Sequence, residues 1–238
     1  MTNKVLLVLD GAAKDLKTHD FGVPKLEGFY HNKAKAPFRN VALGWKSVLE
    51  TYPNADWYCY LEYDCLVASD RFKLNLEIAE KQKVWMLGCA GRVDDVRMPL
   101  VASIIGGCFL RTPYYLLGAC QFMHKDFMHK LTDINFFERF LTQTNAYSEE
   151  IPGYSGYDLS EHMYPTLCRH FGGNIGVFST FDGERWHGSS RYFPVRWRPE
   201  LDPETENFPE ASILHPLKDY HHPIRAFHRT KRHALSST

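Results

Sequence analysis

The residues of this 238-residue chain with the clearest capacity for chemistry stand in short acidic groups. Glu62 and Asp64 flank Tyr63 just after an aromatic run, Trp57-Tyr58-Cys59-Tyr60-Leu61. On an extended segment the two-residue spacing turns both carboxylates to the same side. Paired hard oxygen ligands attract Mg²⁺ or Mn²⁺, ions that combine carboxylates with phosphate oxygens and keep part of their water shell. The companion they imply is a diphosphate. Asp158 and Glu161 form a second acidic pair, three residues apart on the first turn of a helix predicted over 157–170. Either one has the chemistry of a general base, and Asp158 has the alternative role of N-cap. Trp186 lies in an irregular stretch with His187 and Trp197, where it either stacks on the ring of a ligand or covers the core.

Twenty-eight Lys and Arg balance 28 Asp and Glu, so no global charge draws the chain to nucleic acid or membrane. No recognition helix, zinc spacing or RNP-like aromatic pattern accompanies the local basic stretches, which argues against a nucleic-acid partner. The six cysteines sit in apolar runs and none forms CxxC, so they predict buried reduced thiols rather than a zinc ribbon or redox pair. Between Met1 and Asp10 the apolar stretch Val5 to Leu9 is too short for a signal h-region or a membrane span. A cytoplasmic, reducing compartment is the expectation.

Alternating elements must position these groups. Val5 to Leu9 predicts a buried strand that delivers Asp10 at its end. Residues 12–39 read as loop, with Lys33, Lys35 and Arg39 either on a solvated face or at an anion. Asn40 predicts the N-cap of a helix carrying Val41, Trp45, Val48, Leu49 and Tyr52 at helical spacing. A strand over 57–61, a helix over 70–81 and a strand over 84–87 complete a β-α-β alternation. Ser103 to Arg111 reads as a strand interrupted by Gly106 and Gly107, either a bulge or a point of close ligand approach. Helical patterns run through 113–143 and 157–170, a last strand spans 174–180, and 182–212 is irregular. The basic stretch Arg225 to His233 is either a solvated terminus or a peripheral contact for anionic lipid headgroups.

The stretch NVALGWKSVLETYPNADWYCYLEYDCLV resembles the GT-A glycosyltransferases, in which an Asn-led helix, a turn and a hydrophobic strand lead to a metal-binding DxD motif. Glu62 stands where that motif usually has its first Asp. The resemblance implies a single α/β domain with a Rossmann-like mixed central sheet flanked by helices. Residues 1–115 would hold the nucleotide sugar, 116–214 the acceptor, and 215–238 would form a basic C-terminal segment. It further implies that Asp10 contacts the base or ribose, that Lys33 meets the diphosphate, and that Gly106 and Gly107 pass beneath the donor sugar. SILHPLKDYHHP is similar to the segment that returns a histidine to the metal and a lysine to the diphosphate in several of these enzymes, at His215 and Lys218. The implied function is a Mn²⁺- or Mg²⁺-dependent transfer of a sugar from a nucleoside-diphosphate sugar, a UDP-sugar being favoured, to a hydroxyl of a glycan or glycolipid. Two other readings stay open: a metal-dependent phosphohydrolase of nucleotides or sugar phosphates, and a nucleotide-sugar-binding protein without turnover.

Overall fold

A computed structural model describes residues 4–9, 18, 20, 22–29, 38–67, 70, 72–88, 91–93, 98–106, 114–116, 120–145, 159–177, 195–197, 213–219, 221 and 223–225. In chain order the elements are β1 (Leu7–Leu9), β2 (Lys25–Glu27), α1 (Phe38–Thr51), β3 (Trp57–Leu61), β4 (Leu66–Val67), α2 (Phe72–Lys81), β5 (Val84–Gly88) and β6 (Gly91–Val93). There follow α3 (Pro99–Ile104), β7 (Tyr114–Leu116), β8 (Cys120–His124), α4 (Lys125–Asp133), α5 (Phe136–Gln143), α6 (Leu159–His170), β9 (Asn174–Val177), β10 (Val195–Trp197) and β11 (Ile213–His215).

The largest sheet has the order β3-β8-β5-β9 and is mixed: β8 runs antiparallel to β3 and β5, while β5 and β9 are parallel. The chain is therefore mixed α/β. Strands β3 and β5, from the first 115 residues, alternate in that sheet with β8 and β9 from the remainder, so both stretches build one sheet.

Period-2 alternation divides the sheet's side chains between two apolar clusters. Tyr58, Met86 and Met123 face a layer made by α1, α4, α5 and α6, whose Trp45, Phe127, Phe136, Phe140, Met163, Tyr164 and Leu167 are buried with them. Val84, Leu87, Cys120 and Phe122 face the other way, where Ala79 of α2 and Ile213 of β11 cover them. A register shift between Val84 and Met86 lets β5 change the side chains it sends to each face. Burying each large apolar side chain contributes roughly 1.5–3 kcal/mol, so these two layers are the main source of stability.

Several expectations hold. Strand 57–61 is β3, 84–87 lies in β5, the helix over 70–81 is α2 from Phe72, the helix over 157–170 is α6, and the strand predicted at 174–180 begins as β9. Others are corrected. The predicted strand 103–111 begins instead as the end of α3: Pro99 opens that helix at its first turn, and Val101 and Ile104 bury one face. Gly106 then turns the chain with φ +98°, a left-handed conformation suited to glycine. Where a helical pattern is expected from 113 onward, the described residues form β7 and β8 up to His124, followed by helix α4 from Lys125. Every residue of β8 is buried, so its run shows no amphipathic alternation to separate strand from helix. Gln121 satisfies its buried amide by donating to the Leu116 carbonyl, which ties β8 to β7.

Asn40 is not an N-cap. Helix α1 starts at Phe38, and the Asn40 amide instead accepts from the Phe29 N–H at 2.6 Å and donates to the Phe29 carbonyl at 3.0 Å. The loop expected over 12–39 contains β2, which pairs in parallel with β1 apart from the largest sheet. The irregular region 182–212 contains β10.

Candidate metal centre

After β3 the chain reverses direction. The Cys65 N–H donates to the Glu62 carbonyl at 3.0 Å, closing a β-turn over Glu62-Tyr63-Asp64-Cys65. The two carboxylates are thus presented by a turn and not by the extended strand end that the sequence spacing suggests. Tyr63, at the second position of the turn, is 85% exposed, while Asp64 is 3% exposed. The chain then enters β4, which pairs antiparallel with β11 in the register Leu66↔Leu214 and Val67↔Ile213. This pairing carries His215, the last residue of β11, to the turn. The Leu217 N–H donates to the Asp64 carbonyl at 2.8 Å and fixes the two segments together just beyond. The peptide between His215 and Pro216 is cis.

Glu62, Asp64 and His215 consequently meet. His215 Nε2 lies 3.2 Å from Glu62 Oε2 and 3.0 Å from Asp64 Oδ1, across 153 residues of sequence from Glu62. His215 is 5% exposed. One ring nitrogen can donate a single proton, and its hydrogen bond goes to Glu62. Asp64 Oδ1 is at ion-pair distance from the same nitrogen, yet it is sealed from water and no hydrogen bond satisfies it. A buried charged oxygen left in that state costs at least about 1–3 kcal/mol, and more as a full anion. Two carboxylates served by one imidazole nitrogen have lone pairs to spare, and a divalent cation would use them. The donor set of two hard oxygens and one imidazole nitrogen suits Mn²⁺ or Mg²⁺, and the 3.0–3.2 Å separations match neighbouring ligands on one ion with bonds of about 2.1 Å.

Cys65 joins this group. One carboxylate oxygen of Asp64, the Cys65 Sγ and one ring nitrogen of His215 all lie within 4.8 Å of one another. Burial pushes the Cys65 thiol well above the usual cysteine range, and the charges of Glu62 and Asp64 act in the same direction. As one of six cysteines in apolar runs Cys65 reads as a buried thiol, and its place directly after Asp64 is the sequence signal for membership of this group.

The segment behind His215 is anchored as well. Arg225 donates from Nε and Nη2 to the Leu217 carbonyl at 3.1 and 2.6 Å, so Leu217 is held on both sides of its backbone. Ile224, Leu214 and Leu217 are buried together against Leu66. At Ile224 and Arg225, therefore, the basic C-terminal stretch is docked rather than solvated; residues 226–238 lie outside the described residues.

The remaining expected site residues are distributed as follows. Lys218 is exposed, three positions after His215. Glu161 is buried on the first turn of α6, in the helical layer that faces Met86 and Met123, whereas Ile213 and Cys65, next to Asp64 and His215, belong to the opposite cluster. Gly106 is exposed in the turn after α3, and a Cβ there would meet nothing within 4 Å, so the expected glycine-bearing strand is not formed at this residue. Asp10, Lys33, Gly107, Asp158 and Trp186 lie outside the described residues. Among the described residues no helix is long and apolar enough to cross a membrane. No protein-family model matches the chain, and no curated protein sequence matches it.

Proposed function

We propose that this chain is a metal-dependent glycosyltransferase that moves a sugar from a nucleoside-diphosphate sugar to a hydroxyl of a glycan or glycolipid, within a GT-A-like fold. The observation that carries the reading is the meeting of Glu62 and Asp64 with His215, around a buried Asp64 oxygen that no hydrogen bond satisfies. A diphosphate donor needs its charge neutralised as the leaving group departs, and a divalent ion held by Glu62, Asp64 and His215 would supply that Lewis-acid stabilisation.

The chain's own residues would do the rest. Asp64, fixed by the turn and by its backbone link to Leu217, holds one carboxylate at a set position. His215 is oriented by its hydrogen bond to Glu62. Lys218, exposed and close in sequence, supplies a mobile cation for the diphosphate oxygens. Asp158 or Glu161 would take the proton of the acceptor hydroxyl, a task that requires a carboxylate within hydrogen-bond reach of the attacking oxygen, and the place of Glu161 in the opposite helical layer favours Asp158. Asp10 and Lys33 would contact the nucleotide, Gly107 the donor sugar, and Trp186 the acceptor. A cytoplasmic location, with peripheral membrane contact through the basic residues after Arg225, would suit a glycolipid acceptor.

The test is nucleoside-diphosphate release from UDP- and GDP-sugars, with CMP-sugars, whose leaving group is a monophosphate, as the control, with and without Mn²⁺ and acceptor glycans. The expected result is Mn²⁺-dependent release from one nucleotide class, lowered about 10²-fold or more by Glu161→Gln or by Asp158→Asn, whichever is the base. Metal-dependent phosphate release from free nucleotides instead would favour the phosphohydrolase. Release from no donor, with nucleotide sugar still bound, would leave a binding protein.

A further inference from the structure

The four donor side chains at the turn are not all of one chemical kind. Glu62 and Asp64 offer hard oxygens and His215 a borderline nitrogen, but Cys65 brings a soft sulfur into the same group, with the Asp64, Cys65 and His215 ligand atoms within 4.8 Å of one another. An ion served only by oxygens and nitrogen would have no use for that sulfur. We propose that Cys65 is a further metal ligand, and that Glu62, Asp64, Cys65 and His215 together capture a thiophilic ion such as Zn²⁺, which shuts the centre to a diphosphate. The proposal deepens the metal-centre reading and rests on it.

Two considerations give it force. Asp64 is nine-tenths buried or more, and its Oδ1 lies 3.0 Å from the His215 ring nitrogen without a hydrogen bond, so a cation there would satisfy it. Beyond that, the number of protein donors decides what an ion can do. Mn²⁺ and Mg²⁺ favour oxygen and retain waters that a diphosphate can replace. Zn²⁺ is content with four protein ligands, and a four-ligand protein site with sulfur among them is closed, leaving no position for substrate. Binding at N, O and S sites is stronger for Zn²⁺ than for Mn²⁺, so Zn²⁺ would displace the activating ion where both are present. The step is balanced without redox change: the Cys65 S–H proton passes to solvent as the sulfur–metal bond forms. The same centre would then be active with an oxygen-loving ion and silenced by a thiophilic one.

The full chain, freed of metal with a chelator, is titrated with Co²⁺, whose thiolate complexes absorb by sulfur-to-metal charge transfer in the near ultraviolet. The expected result is such a band in the wild type, erased by Zn²⁺ and absent in Cys65→Ser. That variant should bind Mn²⁺ within about twofold of the wild type while losing at least about tenfold in Zn²⁺ affinity. Retained Mn²⁺ binding also certifies that the variant is folded. If it does not fold, the wild-type band and its loss in Asp64→Asn decide the matter. Co²⁺ uptake without the band, or undiminished Zn²⁺ affinity in Cys65→Ser, would overturn the role of Cys65 and leave the Mn²⁺ centre standing. Uptake of neither Mn²⁺ nor Co²⁺ by the wild type would overturn both.

Discussion

Asp64 combines two properties that rarely coexist without a cation: its side chain is almost fully buried, and one carboxylate oxygen has no hydrogen bond. Removing that charge while keeping the shape should relieve the metal-free protein. Asp64→Asn is therefore expected to melt no lower than the wild type without metal, read by differential scanning calorimetry in the presence of chelator. A loss of several degrees would mean that the anion is stabilised by something other than a cation. Glu62 differs from Asp64, because the His215 nitrogen already serves it. The two acids of the motif are not equivalent, and Asp64 has more need of the ion.

At the scale of elements, the helical layer rests on aromatic packing. Phe136 and Phe140 stack with ring centroids 5.7 Å apart, Phe140 meets Phe38 edge-on at 6.2 Å, and Phe136 meets Tyr164. Phe140→Ala should cost about 3–5 kcal/mol. In a chain of this size that lowers the thermal midpoint by on the order of 10 °C, measurable by circular dichroism. Cys168, in α6, gives a pH signature. Burial pushes its thiol from an ordinary value of 9.0 up to about 12. The folded state then keeps a proton that the unfolded state loses, so this residue's contribution to stability is complete below about pH 9 and is lost as pH rises toward about 12, by up to about 1.4 kcal/mol per unit. Urea unfolding of Cys168→Ala should show a correspondingly shallower alkaline decline than the wild type, even though its midpoint is lower at neutral pH.

What the sequence made legible follows the same physics. Amphipathic α1 and the strand–helix–strand order of β3, α2 and β5 were readable because one face of each helix meets the core and the strands are short and apolar. Strand β8 was not readable, being buried throughout, and the Ile104-Ile105 pair suggested strand where Pro99 had already started a helix. The candidate metal centre was legible as residue types, Glu62, Asp64 and His215. Its geometry was not, because a β-turn rather than an extended end presents the acids, and the pairing of β4 with β11 is a long-range contact that local pattern cannot encode.

On the scale of the whole molecule, the centre forms where two sheets are joined. β3 lies at one end of the order of the largest sheet, and the turn after it leads directly into the smaller sheet β10-β11-β4. The far end of the chain completes the site, with Ile213 packed into the second apolar cluster and Arg225 bracing the Leu217 carbonyl. Binding at this cluster should therefore stabilise the fold across a contact between segments 153 residues apart, by about 2.7 kcal/mol at a hundredfold excess over Kd. The most direct test is the thermal midpoint of the wild type and of Asp64→Asn with Mn²⁺ and UDP or GDP, added singly and together, with the monophosphate CMP as the control. The account predicts an upward shift of several degrees in the wild type with Mn²⁺ and one nucleoside diphosphate together, larger than with either alone, and none in Asp64→Asn. A wild type that is folded and unmoved by Mn²⁺ with any nucleotide, or an equal shift in Asp64→Asn, would contradict it.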